Sequence, residues 1–477
     1  MAKANTRAIE LNPDRLLPAE PSRRAVARRL YRQVEKLPII SPHGHTDPAW
    51  FSGNRPFENP AELLVIPDHY LIRMLYSQGV SLDALGIARQ DGRTADIDMR
   101  EVWRCFARHY HLFLGTPSFL WLESTFSEVF GFEYRLGADT ADEYYDRIAD
   151  ALAMDDFRPR ALLDRFGIEL IATTEGATDE LQHHRSLQGS PWAERVITTF
   201  RPDDVVDPDQ EDFRANVQRL GELTGEDSSD WAGYLNALRS RREAFKRLGA
   251  TATDHGHPTA RTADLPPDEC KRLFRSCLQG SAGAAERERF RAQMLTEMAA
   301  MSLDDGLVMQ LHAGVWRNHN RSLFAAYGRD RGGDIPTRSG FVEELKPLLD
   351  RFGNEPALTL ILFTLDESTY SRELAPLAGH YPTLLLGPPW WFHDSPEGML
   401  RYRQRITETA GFYNTAGFND DTRAFLSIPA RHDVARRMDA HFLATLVCDH
   451  RIKEEDAADL AGELAYGLAR RAYRLGQ

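Results

Sequence analysis

Eight short apolar runs punctuate this chain, each ending in polar or glycine-rich residues, at Leu37–Ser41, Ile168–Thr174, Arg195–Phe200, Ala250–Asp254, Leu307–His312, Leu358–Thr364, Thr383–Gly387 and Tyr413–Asn419. Strands of a parallel sheet read this way, as nearly continuous apolar runs, because helices cover both of their faces. Most of the runs are separated by helical patterns, as at Val342–Phe352 between the fifth and sixth, which is the alternation of parallel β/α units. Eight such units predict an α/β fold closed as a distorted (β/α)₈ barrel of TIM type.

Two connections are too long for ordinary crossovers. Residues 48–165, after the first run, are rich in aromatics and carry helix signals at Pro60–Tyr76, Asp98–Leu114 and Ala141–Asp155, so a large helical insertion is expected there. Residues 205–248 place Phe213, Val217 and Leu220, then Leu235, Leu238 and Phe245, at helical spacing and form a second, smaller helical excursion. Residues 1–36 are expected to form an N-terminal helical segment, with the barrel domain occupying 37–477.

Composition narrows the function. The 71 acidic residues outnumber the 58 basic ones, for a formal net charge of −13, and no Lys/Arg block could neutralise a phosphate backbone. Nucleic acid is therefore not an expected partner. Four scattered cysteines make no disulfide framework, which suits a reducing cytoplasm, and no run reaches the roughly 18 apolar residues of a spanning helix.

In a barrel of this type the working residues sit where the strands end and the loops open. Those ends carry His43 and His45; Thr173 to Glu175; Arg201; Asp254 and His255; His312, Arg317 and Asn318; Trp390 and Trp391; and Asp420, Asp421 and Arg423. His43-Gly-His45 leads, since alternate side chains of an extended backbone share a face and two imidazoles can grip one metal ion. The pattern alone says little, because His109/His111 and His255/His257 repeat it. His109 and His111 fall in a helical stretch, where residues two apart point to different sides, and His257 precedes Pro258 in a turn. What singles out His43 and His45 is an acidic residue at the end of the last run, a next-door neighbour once a barrel closes. Asp421 is the natural third ligand and a candidate base; the alternative is that Asp420 and Asp421 cap a helix beginning near Thr422. Arg201 and Arg423 offer planar forks suited to carboxylates and vicinal hydroxyls, or are solvated loop arginines. Trp390 and Trp391 read as pocket wall.

The segments SPHGH (41–45), PDHYLIRMLYSQGV (67–80), LHAGVWRNHN (311–320), GPPWWFHDSPEGM (387–399) and GFNDDTRAFLS (417–427) resemble, in order, the uronate (glucuronate) isomerases of the amidohydrolase superfamily. The resemblance runs from about residue 20 to 440. It implies a distorted barrel with a helical insertion after the first strand. It also implies aldose–ketose isomerisation of D-glucuronate to D-fructuronate and of D-galacturonate to D-tagaturonate. By motif, one divalent metal ion, zinc above all, would be held by His43, His45 and Asp421. Asp421 would also begin removal of the C2 proton, Tyr70 would shuttle a proton between O1 and O2, and Arg423 would hold the C2 and C3 hydroxyls. His69 joins the catalytic group, while Arg201, Asp254, His255, His312, Arg317 and Trp390 would line the substrate pocket. The family lacks a bridging lysine on the fourth strand, and Asp254 stands there, so a single-metal site is expected. A homo-oligomer acting on a small hexuronate is implied, with no membrane or nucleic-acid partner.

The chain departs from the family pattern at Ser41-Pro42, at Thr173-Thr174-Glu175-Gly176 and at Thr364-Leu365-Asp366-Glu367. A second reading, a metal-dependent hydrolase of the same superfamily acting on an amide or lactone, needs the same two imidazoles and carboxylate. Tyr70 and Arg423 favour the isomerase, since a hydrolase has no use for a proton shuttle between two oxygens of one sugar.

Overall fold

A computed structural model describes residues 7–93, 97–210 and 212–476. Nine strands occur among them: β1 (Ile39–Ser41), β2 (Ile168–Gly176), β3 (Val196–Arg201), β4 (Ala252–His255), β5 (Val308–Ala313), β6 (Val315–Trp316), β7 (Ile335–Pro336), β8 (Leu360–Thr364) and β9 (Leu384–Leu386). Seven form one parallel sheet in the order β1-β2-β3-β4-β5-β8-β9, and β6 and β7 pair as a small antiparallel hairpin.

These seven strands coincide with the first seven apolar runs. The eighth run, Tyr413–Asn419, is a correction: it makes only one parallel bridge, Leu386 to Thr415. The Leu386 N–H donates to the Asn414 carbonyl and the Ala416 N–H to the Leu386 carbonyl, both at 2.9 Å. Further on, the His45 N–H donates to the Thr422 carbonyl at 3.0 Å. Residues 414–422 thus span from β9 to the end of β1 as irregular backbone. The reason lies at Gly417, whose φ is +75° and where a Cβ would sit 2.8 Å from the Ala469 nitrogen. Close approach of the C-terminal helix Leu468–Ala472 leaves no room for regular pleating there.

Strand alternation then sorts the core. Ile40, Ala172, Ile197, Ala252, Val308 and Ile361 point into the bore and pack with Ala469, Ala472 and Tyr473, so the C-terminal helix plugs the floor. Phe200, Met309, Leu311, Leu360, Leu362, Leu384 and Leu386 point outward into a second apolar layer beneath the surrounding helices. Inside the bore the Tyr473 hydroxyl donates to Gln310 Oε1 at 2.8 Å and accepts from Asn419 Nδ2 at 2.9 Å.

Among the described residues between β1 and β2 lie seven α-helices, from Pro48–Gly53 to Pro159–Arg165, built on a core of buried aromatics including Trp103, Phe106, Tyr110, Phe126 and Tyr144. One of them, His69–Ser77, begins at Asp68, whose side chain accepts from the Tyr70 and Leu71 N–H groups. Between β3 and β4 come the helices Asp203–Val206, Phe213–Thr224 and Trp231–Lys246. The helix expected over Val342–Phe352 starts only at Lys346, where Pro347 suits a first turn. Among the described residues no helix is long and apolar enough to cross a membrane, and the four cysteines are unpaired.

Candidate active site

The loops at the C-terminal ends of the strands enclose a cavity of about 1000 Å³. His43 and His45 enter it directly from β1, Asp254 from β4, His312 from β5, and Asp421 from the irregular closing segment. Asp421 Oδ1 lies 3.6 Å from His43 Nε2 and 3.1 Å from His45 Nε2, and Asp421 Oδ2 lies 4.0 Å from His312 Nε2. Asp421 does not cap a helix: the next helix is Ile428–Cys448, preceded by a 3₁₀ turn, while Asp420 accepts from His432 Nε2 at 3.1 Å.

Asp421 Oδ1 is buried and accepts no hydrogen bond, and one atom from each of His43, His45 and Asp421 lies within 4.8 Å of the others. A buried carboxylate oxygen facing two imidazole nitrogens is a donor set that fits a divalent cation. Burial opposes ionisation of Asp421, yet the imidazoles of His43 and His45 hold its carboxyl well below the usual carboxylate range. Burial likewise pushes His43 down to about 4, so its ring is neutral, the form that ligates a metal. The Gln310 amide stands 3.3 Å from His43 Nδ1.

A second line of contacts runs behind this triad. His312 Nδ1 meets Asp254 Oδ1 at 2.6 Å, and Arg201 reaches Asp254 Oδ2 at 3.0 Å while its Nε donates to Asp203 Oδ2 at 2.8 Å. Asp254 stays ionised despite burial because Arg201 and His312 hold its carboxyl low. His312 stacks on Phe363 at 3.9 Å and meets Trp390 at 4.7 Å, which places Trp390 in the wall.

The roof comes from the helices between β1 and β2 and from the loop after β5. His69 and Tyr70 start the helix His69–Ser77, with ring centres 4.4 Å apart, and His69 faces Trp391 at 5.5 Å. Burial raises the Tyr70 phenol well above its ordinary range, so it remains an O–H donor, and burial lowers His69 to about 3. Arg423 pairs with Asp330 at 3.0 Å, and Arg317 pairs with Asp334 at 2.9 Å while lying over Trp391. The sequence offers no signal for these two aspartates, which lie in the loop joining β6 to β7. Among the described residues the lining contains eight arginines and nine aspartates, so the arginines alone do not make the cavity positive.

His255 is a correction. Because β4 alternates, Asp254 enters the bore and His255 points out of it; His255 is fully buried and does not line the cavity. Sequence reasoning also missed Arg431, which pairs with Asp394 at 2.6 Å and stacks on Trp121 at 3.5 Å beneath Tyr70. Backbone strain gathers here too: Asn318, Asp330, Trp391 and Asp421 line the cavity with φ of 53°, 61°, 49° and 38°, respectively.

Fold and site together define a parallel barrel enzyme with a His-x-His-plus-aspartate centre at the strand ends. The sequence model of the glucuronate isomerase family matches residues 22–473. A uronate isomerase of Phenylobacterium zucineum is 63% identical over 472 residues, covering 99% of this chain and 98% of its own. The crystal structure of glucuronate isomerase from Caulobacter crescentus superposes with a TM-score of 0.97 at 59% identity, over 99% of this chain and 98% of that one. A uronate isomerase of Thermotoga maritima superposes with a TM-score of 0.89 at 28% identity, over 97% and 99%. The chain belongs to the glucuronate isomerase family.

Proposed function

We propose that this chain is a uronate isomerase that interconverts D-glucuronate with D-fructuronate, and D-galacturonate with D-tagaturonate, through a cis-enediol. The observation that carries the reading is the meeting of His43, His45 and Asp421 at one point of the cavity, with Tyr70 and Arg423 in the same lining. His43, His45 and Asp421 would hold a single divalent cation, zinc by the nature of two imidazoles and one carboxylate. That cation, when bound, supplies Lewis acidity and the positive charge that an anionic substrate needs in a lining where aspartates match the arginines.

A C–H beside an aldehyde is weakly acidic, so the site must take the C2 proton and stabilise the enediolate that forms. Asp421, ionised at neutral pH, is the base that begins this step through the substrate's C5 hydroxyl. Tyr70, held as a neutral phenol, hydrogen-bonds O1 and carries a proton between O2 and O1. Arg423, steadied by Asp330, holds the C2 and C3 hydroxyls. Arg201, Asp254, His312, Arg317 and Trp390 shape the pocket, and neutral His69 packs against Tyr70. In domain terms, residues 48–165 serve as the insertion that brings His69 and Tyr70 over the barrel.

The test is proton NMR of D-glucuronate incubated with purified protein. The anomeric C1 signals are expected to fall as ketose methylene signals grow. Unchanged hexuronates together with cleavage of an amide or lactone would favour the hydrolase instead.

A further inference from the structure

We propose that Asp203, His255 and His257 form a second divalent-cation site, behind the wall of the cavity and separate from the centre at His43, His45 and Asp421. This goes beyond the isomerase reading and does not rest on it. Asp203 opens the short helix after β3, His255 ends β4, and His257 follows one residue past Gly256. One ligand atom of each lies within 4.8 Å of the other two, the same closeness found among His43, His45 and Asp421.

The ring nitrogens point to a ligand. His255 and His257 are 0% and 3% exposed, and His255 Nδ1 and His257 Nε2 are buried with no hydrogen-bond partner. Buried polar nitrogens are almost always satisfied, so two orphans beside one carboxylate call for a shared partner. His255 Nε2 sits 3.0 Å from Thr253 Oγ1, whose hydroxyl faces the Val308 carbonyl at 3.5 Å. The hydroxyl donates to that carbonyl and accepts from Nε2–H, which leaves a lone pair on Nδ1. Burial holds His255 near 3, which keeps the ring neutral.

Asp203 is fixed by the Arg201 Nε at 2.8 Å and by the Gly256 N–H at 3.1 Å, with lone pairs left for a cation. Two imidazoles and one carboxylate select zinc and its neighbours over magnesium or calcium. The cavity supplies the way in, since Asp203, Gly256 and Pro258 all line it. A cation here would share Asp203 with Arg201, and Arg201 in turn holds Asp254.

The experiment counts cobalt(II) bound to chelator-stripped full-length protein by elemental analysis, with the visible d–d spectrum as a second readout. Wild type is expected to bind two equivalents, His255→Asn/His257→Asn one, and His43→Asn/His45→Asn one. If the His255/His257 variant binds as many equivalents as wild type, the proposal is overturned and the orphan nitrogens meet water only. A failure of the isomerase centre shows differently, as an undiminished count in the His43/His45 variant. Should the His255/His257 variant not fold, the His43/His45 variant still decides: one equivalent supports the second site and none overturns it.

Discussion

Asp421 carries two duties in the proposed mechanism, ligand and base, on a backbone with φ of 38°. Asparagine tolerates the left-handed region as well as aspartate does, so Asp421→Asn removes charge without adding strain. Turnover of D-glucuronate is expected to fall about 10²–10⁴-fold, the usual worth of a positioned base, with the melting temperature little changed. Unchanged turnover would take Asp421 out of the chemistry. Glu175 gives a pH signature at single-residue resolution. It is buried beside Thr198, and burial raises its pKa from 4.5 to about 7. The folded chain therefore holds this proton longer than the unfolded chain does, so the contribution to stability is fullest below pH 4.5 and is lost as pH rises towards 7. The gap corresponds to about 3 kcal/mol, and Glu175→Gln is expected to raise the melting temperature at pH 8 and hardly at pH 5. Equal shifts at the two pH values would mean that Glu175 is not held protonated. Among site residues, the grouping of His43, His45 and Asp421 was legible because all three follow within a few residues of an apolar run. Asp330 and Asp334 were not, because an aspartate in a long loop looks like any solvated acid until folding sets it against Arg423 and Arg317.

Secondary-structure elements place these side chains, and seven strands could be read because both faces of each are covered and their apolar runs are nearly continuous. The eighth could not, because Gly417 and the packing of Ala469 turn an apolar run into a single bridge. The β6–β7 hairpin has two residues per strand, too few for any period to show. The misplacement of His255 came from reading a strand end as a whole, when alternation sends only every second residue into the bore. The helix carrying His69 and Tyr70 gives a prediction for an element. Asp68→Ala removes acceptors for two N–H groups at the first turn, a change of about 1 kcal/mol in stability. Because that turn aims Tyr70, kcat is expected to drop by far more than so small a loss of stability would cause. A melting shift with unaltered kcat would show that the cap does not position the phenol.

Across the whole molecule, the C-terminal helix joins the floor of the barrel to the site at its mouth. Tyr473 bonds Gln310 and Asn419, and Gln310 reaches His43. Tyr473→Phe strips both bonds from buried partners, and a loss of about 1–3 kcal/mol in urea unfolding is expected. An unchanged midpoint would mean that water replaces the hydroxyl. The decisive measurement is the isomerisation rate of chelator-stripped protein as zinc is added back, in wild type and in His43→Asn/His45→Asn. Wild type is expected to lose D-glucuronate turnover on stripping and regain it with zinc, while the variant stays inactive at every zinc concentration. Full turnover by stripped wild type, or zinc-restored turnover by the variant, would contradict a reaction built on His43, His45 and Asp421.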